Sequence, residues 1–290
     1  MKLLRGRVLR FVAEPAGPDD RDSYLYDEDG AVLIDAGRVI GCGSYDALRA
    51  QAVGAEVIDH RPNLIMPGFI DTHFHFQMPI GYSLGLRDGL TSSMDFEMGC
   101  AGSYMADWYE ARAGVTGANY GCAVSHESAR AMFIDGSDGE YMKDGPLAAF
   151  ETRKKTGWSA TRPNLVQGNA ILEEIDKGLQ AGAPGIGSTV GYMREGVSSR
   201  EMFEVQKVAA RYGRPTGAHT RYTLGTDTSE VNGAPELIAN AIALNLTRNK
   251  EALGDLDFLL EGVPRQIDHF HSVTKRRRHI VDHVSRCNEQ

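Results

Sequence analysis

Of the 290 residues in the chain, the pair His73 and His75, in LIMPGFIDTHFHF, is the arrangement most able to do chemistry. Side chains alternate along an extended chain, so an i, i+2 spacing turns both imidazoles to one side. Other strong donors stand at the ends of apolar or β-branched runs: Glu97 closes TSSMDFE, His219 falls at the end of RPTGAHT, and His269 stands in RQIDHFHS. Neutral imidazole nitrogen and carboxylate oxygen are the donors that a Zn²⁺-like ion takes at about 2.0–2.2 Å. A lone His-x-His pair is a weak signal. Donors repeated in one phase on successive strand-like runs are a strong one, and they predict a site for one or two divalent metals, with zinc the first candidate. A solitary histidine is ordinarily a hydrogen-bonded core or surface residue, and His60, His126, His279 and His283 are read that way.

The elements that must position these donors can be read in outline. Residues 5–66 contain short strands, RGRVLRFV, AVLIDAGRVIGCG and AEVIDH, with a tight turn at Asp35, Ala36 and Gly37. From Met66 onward strands alternate with amphipathic helices, the pattern of a parallel sheet with crossover connections. The strand candidates are residues 68–75, 91–97, 118–126, 183–190, 214–220 and 265–272; the helix candidates are 103–113, 170–181, 198–212 and 233–245. The third helix has Ser198 and Ser199 ahead of Glu201 and stops at Gly213, which are start and stop signals. Residues 127–168, rich in Gly, Asp and Ser, read as one long excursion of the kind that covers an active site. The expected fold is therefore α/β: a small β-sandwich-type domain over residues 1–66 and a partial TIM-like β/α barrel over 67–290. Reactive groups in such barrels sit at the C-terminal strand ends, so the five donors should converge there.

A net charge of -8 argues against a nucleic-acid partner, because phosphate binding needs clustered positive charge. The basic run Lys275 to Arg278 is read as a solvated helix face. The N-terminal segment lacks the apolar core of a signal peptide, and no apolar run approaches the roughly 18 residues of a membrane span. No membrane partner is expected. Cys42, Cys100, Cys122 and Cys287 form no CxxC pair and read as reduced thiols of a cytoplasmic protein. The expected partner is a small-molecule substrate; the sequence leaves room for a homo-oligomer.

LIMPGFIDTHFHF resembles the first barrel strand of the amidohydrolase superfamily, in which a distorted β/α barrel holds one or two metals beside a small β-sandwich. Within the first 76 residues, RGRVLRFVAEPAG and AEVIDHRPNLIMPGFIDTHFHF resemble guanine deaminases. GLTSSMDFEMG, DWYEARAG, NYGCAVSHESAR, AGAPGIGSTVGYM and MFEVQKVAARYGRPTGAHTR span most of residues 89–221. They resemble the N-acyl-D-amino-acid deacylase branch, particularly D-glutamate deacylases. The resemblance implies that His73 and His75 bind one metal, that His219 and His269 bind a second or shared metal, and that Glu97 is a bridging or terminal carboxylate. Many superfamily members bridge two metals with a lysine on strand four, and APGIGSTV has none, so another anionic bridge is required. Tyr192 and Arg221 are expected contacts for a substrate carboxylate or acyl group, Arg through a bidentate fork. His271 stands where this branch has a lysine and is a further substrate-binding candidate.

The implied activity is metal-dependent hydrolysis of a non-peptide C–N bond, first in N-acyl-D-amino acids, with purine deamination of the guanine type as the alternative. The superfamily's general base is an aspartate at the end of strand eight, and no counterpart to it can be assigned in this chain. Catalytic residues are therefore left unassigned. The corresponding expectation is that these 290 residues by themselves have little or no hydrolase activity, or form a non-catalytic metal-binding fragment.

Overall fold

Short β-branched runs and tight turns build the first part of the chain, while apolar strands alternating with capped helices build the rest. The computed structural model describes residues 1–17, 19–140, 153, 155–221, 233–248 and 280–282. It divides into two compact units, Met1–Phe69 and Ile70–Gln290.

In the first unit β1 (Lys2–Phe11) pairs antiparallel with β2 (Tyr24–Asp35) and parallel with β4 (Glu56–Ile65). β2 pairs antiparallel with β3 (Arg38–Ser44), giving the order β3-β2-β1-β4. Ala36 and Gly37, at φ 46° and 76°, make the hairpin turn between β2 and β3. Two successive left-handed residues suit the right-handed twist of the flanking strands. Leu3, Ala31 and Leu33 pack with Leu48 and Ala52, at and just beyond helix α1 (Tyr45–Gln51).

The second unit contains one sheet whose strands lie in sequence order: β5 (Phe69–Asp71), β6 (Leu90–Cys100), β7 (Asn119–Ser125), β8 (Ile186–Ser188), β9 (Thr216–His219) and β10 (Ile280–Asp282). The pairs from β6 through β10 are parallel. Between the strands run α2 (Pro79–Arg87), α3 (Met105–Glu110), α4 (His126–Asp135), α5 (Gly157–Ala160), α6 (Leu165–Gln180) and α7 (Ser199–Arg211), and α8 (Gly233–Arg248) follows β9. Sequential parallel strands with intervening helices form part of a β/α barrel. The expected α/β class, a partial barrel preceded by a small β domain, is the architecture observed; in place of the expected sandwich, the described residues of the first unit form one four-stranded sheet. Val124, Ile186 and Ala218 from the strands pack with Ile171 and Ile175 of α6 and Met202 and Val205 of α7. Each fully buried Ile, Val or Met contributes roughly 1.5–3 kcal/mol of transfer free energy. Among the described residues, no helix is long and apolar enough to cross a membrane.

Four details differ from the sequence expectation. The stretch after Ser125 opens with a ten-residue helix, α4, because Ser125 Oγ accepts from Ser128 N at 3.1 Å and Gly136, at φ 71°, closes the far end. α6 starts at Leu165 rather than 170, because Asn164 and Gln167 form a reciprocal capping box. Beside β6, the chain just past β5 makes an antiparallel bridge, His73 to Asp95, in place of a parallel ladder. The sheet position next to β9 is taken by Ile280–Asp282; the expected strand 265–272 lies outside the described residues.

Candidate metal centre

The centre begins with a departure from regular strand geometry in β6. β6 keeps step with β7 as far as Asp95 opposite Cys122, and the next partners are Cys100 and Val124. Residues 96–99 therefore arch out of the ladder opposite a single residue of β7. A bulge at a strand end re-aims side chains. Asp95 holds this one, its Oδ1 accepting from the N–H groups of Glu97 at 3.0 Å and Met98 at 2.9 Å. Glycine on β8 and β9 gives the arch room. A Cβ at Gly187 would sit 2.5 Å from the Glu97 carbonyl oxygen, and one at Gly217 would collide with that of Phe96.

The histidine segment is tied to the same arch. Phe74 N donates to Met94 O at 2.8 Å and Phe96 N to Thr72 O at 3.0 Å. Asp71 Oδ1 accepts from His73 N at 2.8 Å, a structural role for that carboxylate. These bonds bring His73 Nε2 to 2.9 Å from His75 Nε2. Both face Glu97 Oε2, His75 at 3.3 Å and His73 in a closer contact. The three donor atoms lie within 4.8 Å of one another. Glu97 is 5% exposed, and its other oxygen, Oε1, is 3.1 Å from His219 Nδ1 at the end of β9.

His75 Nδ1 meets Asp95 Oδ2 at 3.0 Å. An ionised carboxylate only accepts, so Nδ1 carries the proton, and in a neutral ring the lone pair lies on Nε2, toward the cluster. Burial works against a charged His75, but its bonds to Asp95 and Glu97 outweigh burial and push its pKa up to about 9. Burial likewise opposes ionisation of Glu97, and hydrogen bonds from His219, His73 and His75 hold it well below the usual carboxylate range.

No family model matches the chain. The chain is 33% identical over 135 residues to the 5-methylthioadenosine/S-adenosylhomocysteine deaminase of Nitratidesulfovibrio vulgaris, covering 45% of this chain and 28% of that protein. With the guanine deaminase of Escherichia coli it shares 35% identity over 78 residues, 26% of this chain and 18% of that one. Two solved structures are similar in fold. The crystal structure of D-aminoacylase, described as defining a novel subset of amidohydrolases, aligns at TM-score 0.57 and 17% identity over 82% of this chain and 49% of its own. The chain shares the fold of that protein. The N-acyl-D-glutamate deacylase of Bordetella bronchiseptica, complexed with zinc and a phosphonate inhibitor, aligns at TM-score 0.51 and 16% identity over 85% of this chain and 50% of that one. The chain thus spans about half the length of these solved relatives and less than a third of the first curated one.

On this fold, the donor set fits a divalent cation. Two imidazole nitrogens and a carboxylate oxygen face one another within 4.8 Å, the neutral-nitrogen and anionic-oxygen donors that such an ion takes. Asp95 fixes the tautomer and ring orientation of His75, as carboxylates behind ligating histidines commonly do. His73, His75, Glu97 and His219 are gathered in one place, whereas His269 and His271 lie outside the described residues.

The expected substrate contacts are placed differently from one another. Tyr192 stacks on His219, ring centroids 4.4 Å apart and planes 26° from parallel. Arg221 is buried and turned to α8, its Nε 2.7 Å and Nη2 3.3 Å from the two Glu236 oxygens. Both residues line a cavity of about 550 Å³ with His219, Thr220, Arg194 and Ser159. His126 is fully buried and meets Ser188 Oγ at 2.9 Å and Glu201 Oε1 at 3.2 Å.

Sequence reasoning missed Asp95, Glu127 and Arg153. Asp95 was within reach, since it precedes Glu97 by two residues on the same strand. Glu127, behind the cavity, accepts from Thr189 Oγ1 and from Arg153 Nε and Nη2 at 2.8 and 3.0 Å. Nothing local marks that pairing, because its partners are far apart in sequence.

Proposed function

We propose that this chain carries the metal-holding part of a hydrolase of non-peptide C–N bonds. His73, His75 and Glu97 hold one divalent ion, zinc the first choice, and Glu97 with His219 serves a second or shared ion; His269 is retained from the sequence as a further ligand. The observation that supports this is the two-sided placement of Glu97, with Oε2 on the His73/His75 pair and Oε1 on His219. Such a carboxylate can bridge where no strand-four lysine is available. When bound, a divalent ion supplies Lewis acidity and a lowered pKa for water beside it at neutral pH. The chain's own residues do the rest of what can be assigned. Glu97 brings negative charge from a buried position, Asp95 fixes the tautomer of His75, and the cavity beside His219 receives the substrate against Tyr192, with Arg221, held by Glu236, in its wall. His271 is retained with them as a substrate-binding candidate.

The bridging geometry and the two deacylase structures favour an N-acyl-D-amino-acid substrate. The curated relatives, which are deaminases, support a second reading, purine deamination by the same centre. The first experiment is metal analysis by native mass spectrometry. Substituting His73→Ala and His75→Ala together is expected to abolish tight binding of at least one ion, and unchanged metal content would overturn the assignment. A panel then separates the readings: carboxylate release from N-acyl-D-amino acids supports deacylation, whereas ammonia release from guanine without amide hydrolysis reverses the order. The panel is run on the 290-residue chain and on a longer form carrying further barrel strands.

A further inference from the structure

The two residues that follow Val190 touch His219 in three separate ways. Gly191 N donates to His219 O at 2.8 Å, joining the backbone past β8 to the end of β9. The Gly191 α-carbon lies against the edge of the imidazole, where a Cβ would collide with His219 Cδ2. Tyr192 then lays its ring on the imidazole, 4.4 Å between centroids at 26°. The tyrosine ring is itself supported. The Arg153 guanidinium carbon is 5.2 Å from its centroid, within cation–π range, and Arg153 is anchored by both oxygens of buried Glu127.

A histidine ring has two torsions to settle. The Nδ1 contact to Glu97 Oε1 at 3.1 Å fixes one point of the imidazole, and rotation about that contact would still swing Nε2. A stacked ring on the face and a backbone against the edge remove that freedom. Tyr192 is 51% exposed, so it adds little to the core and its position is poorly explained by packing alone.

We infer that Gly191 and Tyr192 form a clamp that orients His219, so that Tyr192 is a positioning residue acting through its ring and not chiefly through its hydroxyl. The inference rests on His219 being a metal ligand, as proposed above. It follows that Tyr192→Phe, which keeps the ring, should preserve metal binding. Tyr192→Ala should weaken it about 10- to 100-fold, the usual loss when a group that orients a ligand is removed. Gly191→Ala should weaken it too, by pushing the imidazole aside.

The test uses the full 290-residue chain titrated with Zn²⁺ against a chromophoric chelator, and with Co²⁺ followed by its visible absorption. The parent is compared with Tyr192→Phe, Tyr192→Ala, Gly191→Ala and His219→Ala, each checked for folding by circular dichroism. The expected order of affinity places the parent and Tyr192→Phe within about threefold of each other. Tyr192→Ala and Gly191→Ala fall below them with an altered Co²⁺ spectrum, and His219→Ala binds weakest. If His219→Ala binds as the parent does, His219 is not a ligand and the functional reading itself falls. If His219→Ala loses metal but Tyr192→Ala does not, or if Tyr192→Phe loses as much as Tyr192→Ala, the clamp alone is overturned. Because Tyr192 is half exposed, Tyr192→Ala is expected to fold, and Gly191→Ala gives an independent route to the same displacement.

Discussion

Two clusters in the second unit are built from the same side chains, histidine with glutamate, and they behave in opposite ways. At the strand ends, His73 and His75 are each one-third exposed and turn like-minded nitrogens on one Glu97 oxygen. Burial opposes charge on the ring there, but the bonds of His75 to Asp95 and Glu97 outweigh it, and its pKa rises to about 9. Behind β7, His126 is fully buried, with Glu201 Oε1 at 3.2 Å on one ring nitrogen and Ser188 Oγ at 2.9 Å on the other. Arg130, also fully buried, pairs with the same Glu201 oxygen and donates to the carbonyl oxygens of Trp158 and Thr161, both at 2.6 Å. Donors there meet acceptors within the protein, and burial keeps His126 below its ordinary pKa despite the Glu201 beside it. The difference teaches that residue type does not distinguish a ligand from a structural histidine. What distinguishes them is how the partners are placed: at the strand ends two imidazole nitrogens face one carboxylate oxygen and each other, whereas the two ring nitrogens of His126 meet different residues in the core.

The largest expected effect tests the fully buried cluster around His126. Arg130→Met leaves Glu201 buried without its guanidinium, and breaking a buried pair from one side costs about 3–5 kcal/mol. Urea unfolding at pH 7.5 should show a loss of that size, whereas His73→Ala in metal-free protein should change stability by less than about 1 kcal/mol. Comparable losses in both would erase the distinction. A smaller effect tests the strand-end cluster from behind. Asp95→Asn keeps an oxygen for the Glu97 and Met98 N–H groups but puts an NH2 donor, which cannot accept, against His75 Nδ1. Zn²⁺ affinity should fall about 10- to 100-fold, and an unchanged dissociation constant would remove Asp95 from the site.

The smallest effect is one of pH. His126 has a folded pKa below its ordinary 6.5, so the folded chain binds fewer protons there than the unfolded chain. Its contribution is fully present above pH 6.5 and is lost as pH falls toward the lower folded value. Glu201 acts with the same sign further down. Burial opposes its ionisation, yet His126 and Arg130 hold its pKa below the ordinary 4.5, so that contribution is lost only as pH falls through that lower value. Replacing His126 by Gln should flatten the decline in urea midpoint between pH 7 and 5.5 relative to the parent, by at most about 1.4 kcal/mol per pH unit. Parallel curves for the two proteins would show that His126 does not titrate with folding.

Much of this was legible in the sequence, because it depends on local rules. Strand alternation put His73 and His75 on one side, Ser198 and Gly213 bracketed α7, and the Ala36-Gly37 turn marked the β2–β3 hairpin. The phase of Glu97 and His219 at strand ends followed from the barrel pattern. Ser198 and Glu201 illustrate the limit. The sequence shows a capping signature, and Ser198 Oγ does accept from Glu201 N at 3.1 Å, but the Glu201 carboxylate turns inward to Arg130 and His126, 71 and 75 residues away.

Arg221 is the same lesson at the cavity. From sequence it was an expected carboxylate contact, yet its fork is already closed on Glu236. Tyr192 could be named from sequence but not its stacking on His219, and the pairing of Glu127 with Arg153 could not be named at all. By itself, the sequence determined which residues can donate to a metal, the alternation of strands and helices that carries them, and the phase in which they reach the strand ends. Those follow from periodicity and from the chemistry of each side chain. Only the tertiary structure decided which donors turn toward one another at the strand ends and which meet partners in the core. That depends on partners far apart in the chain, and on an arch in β6 whose room comes from glycine at Gly187 on β8 and Gly217 on β9.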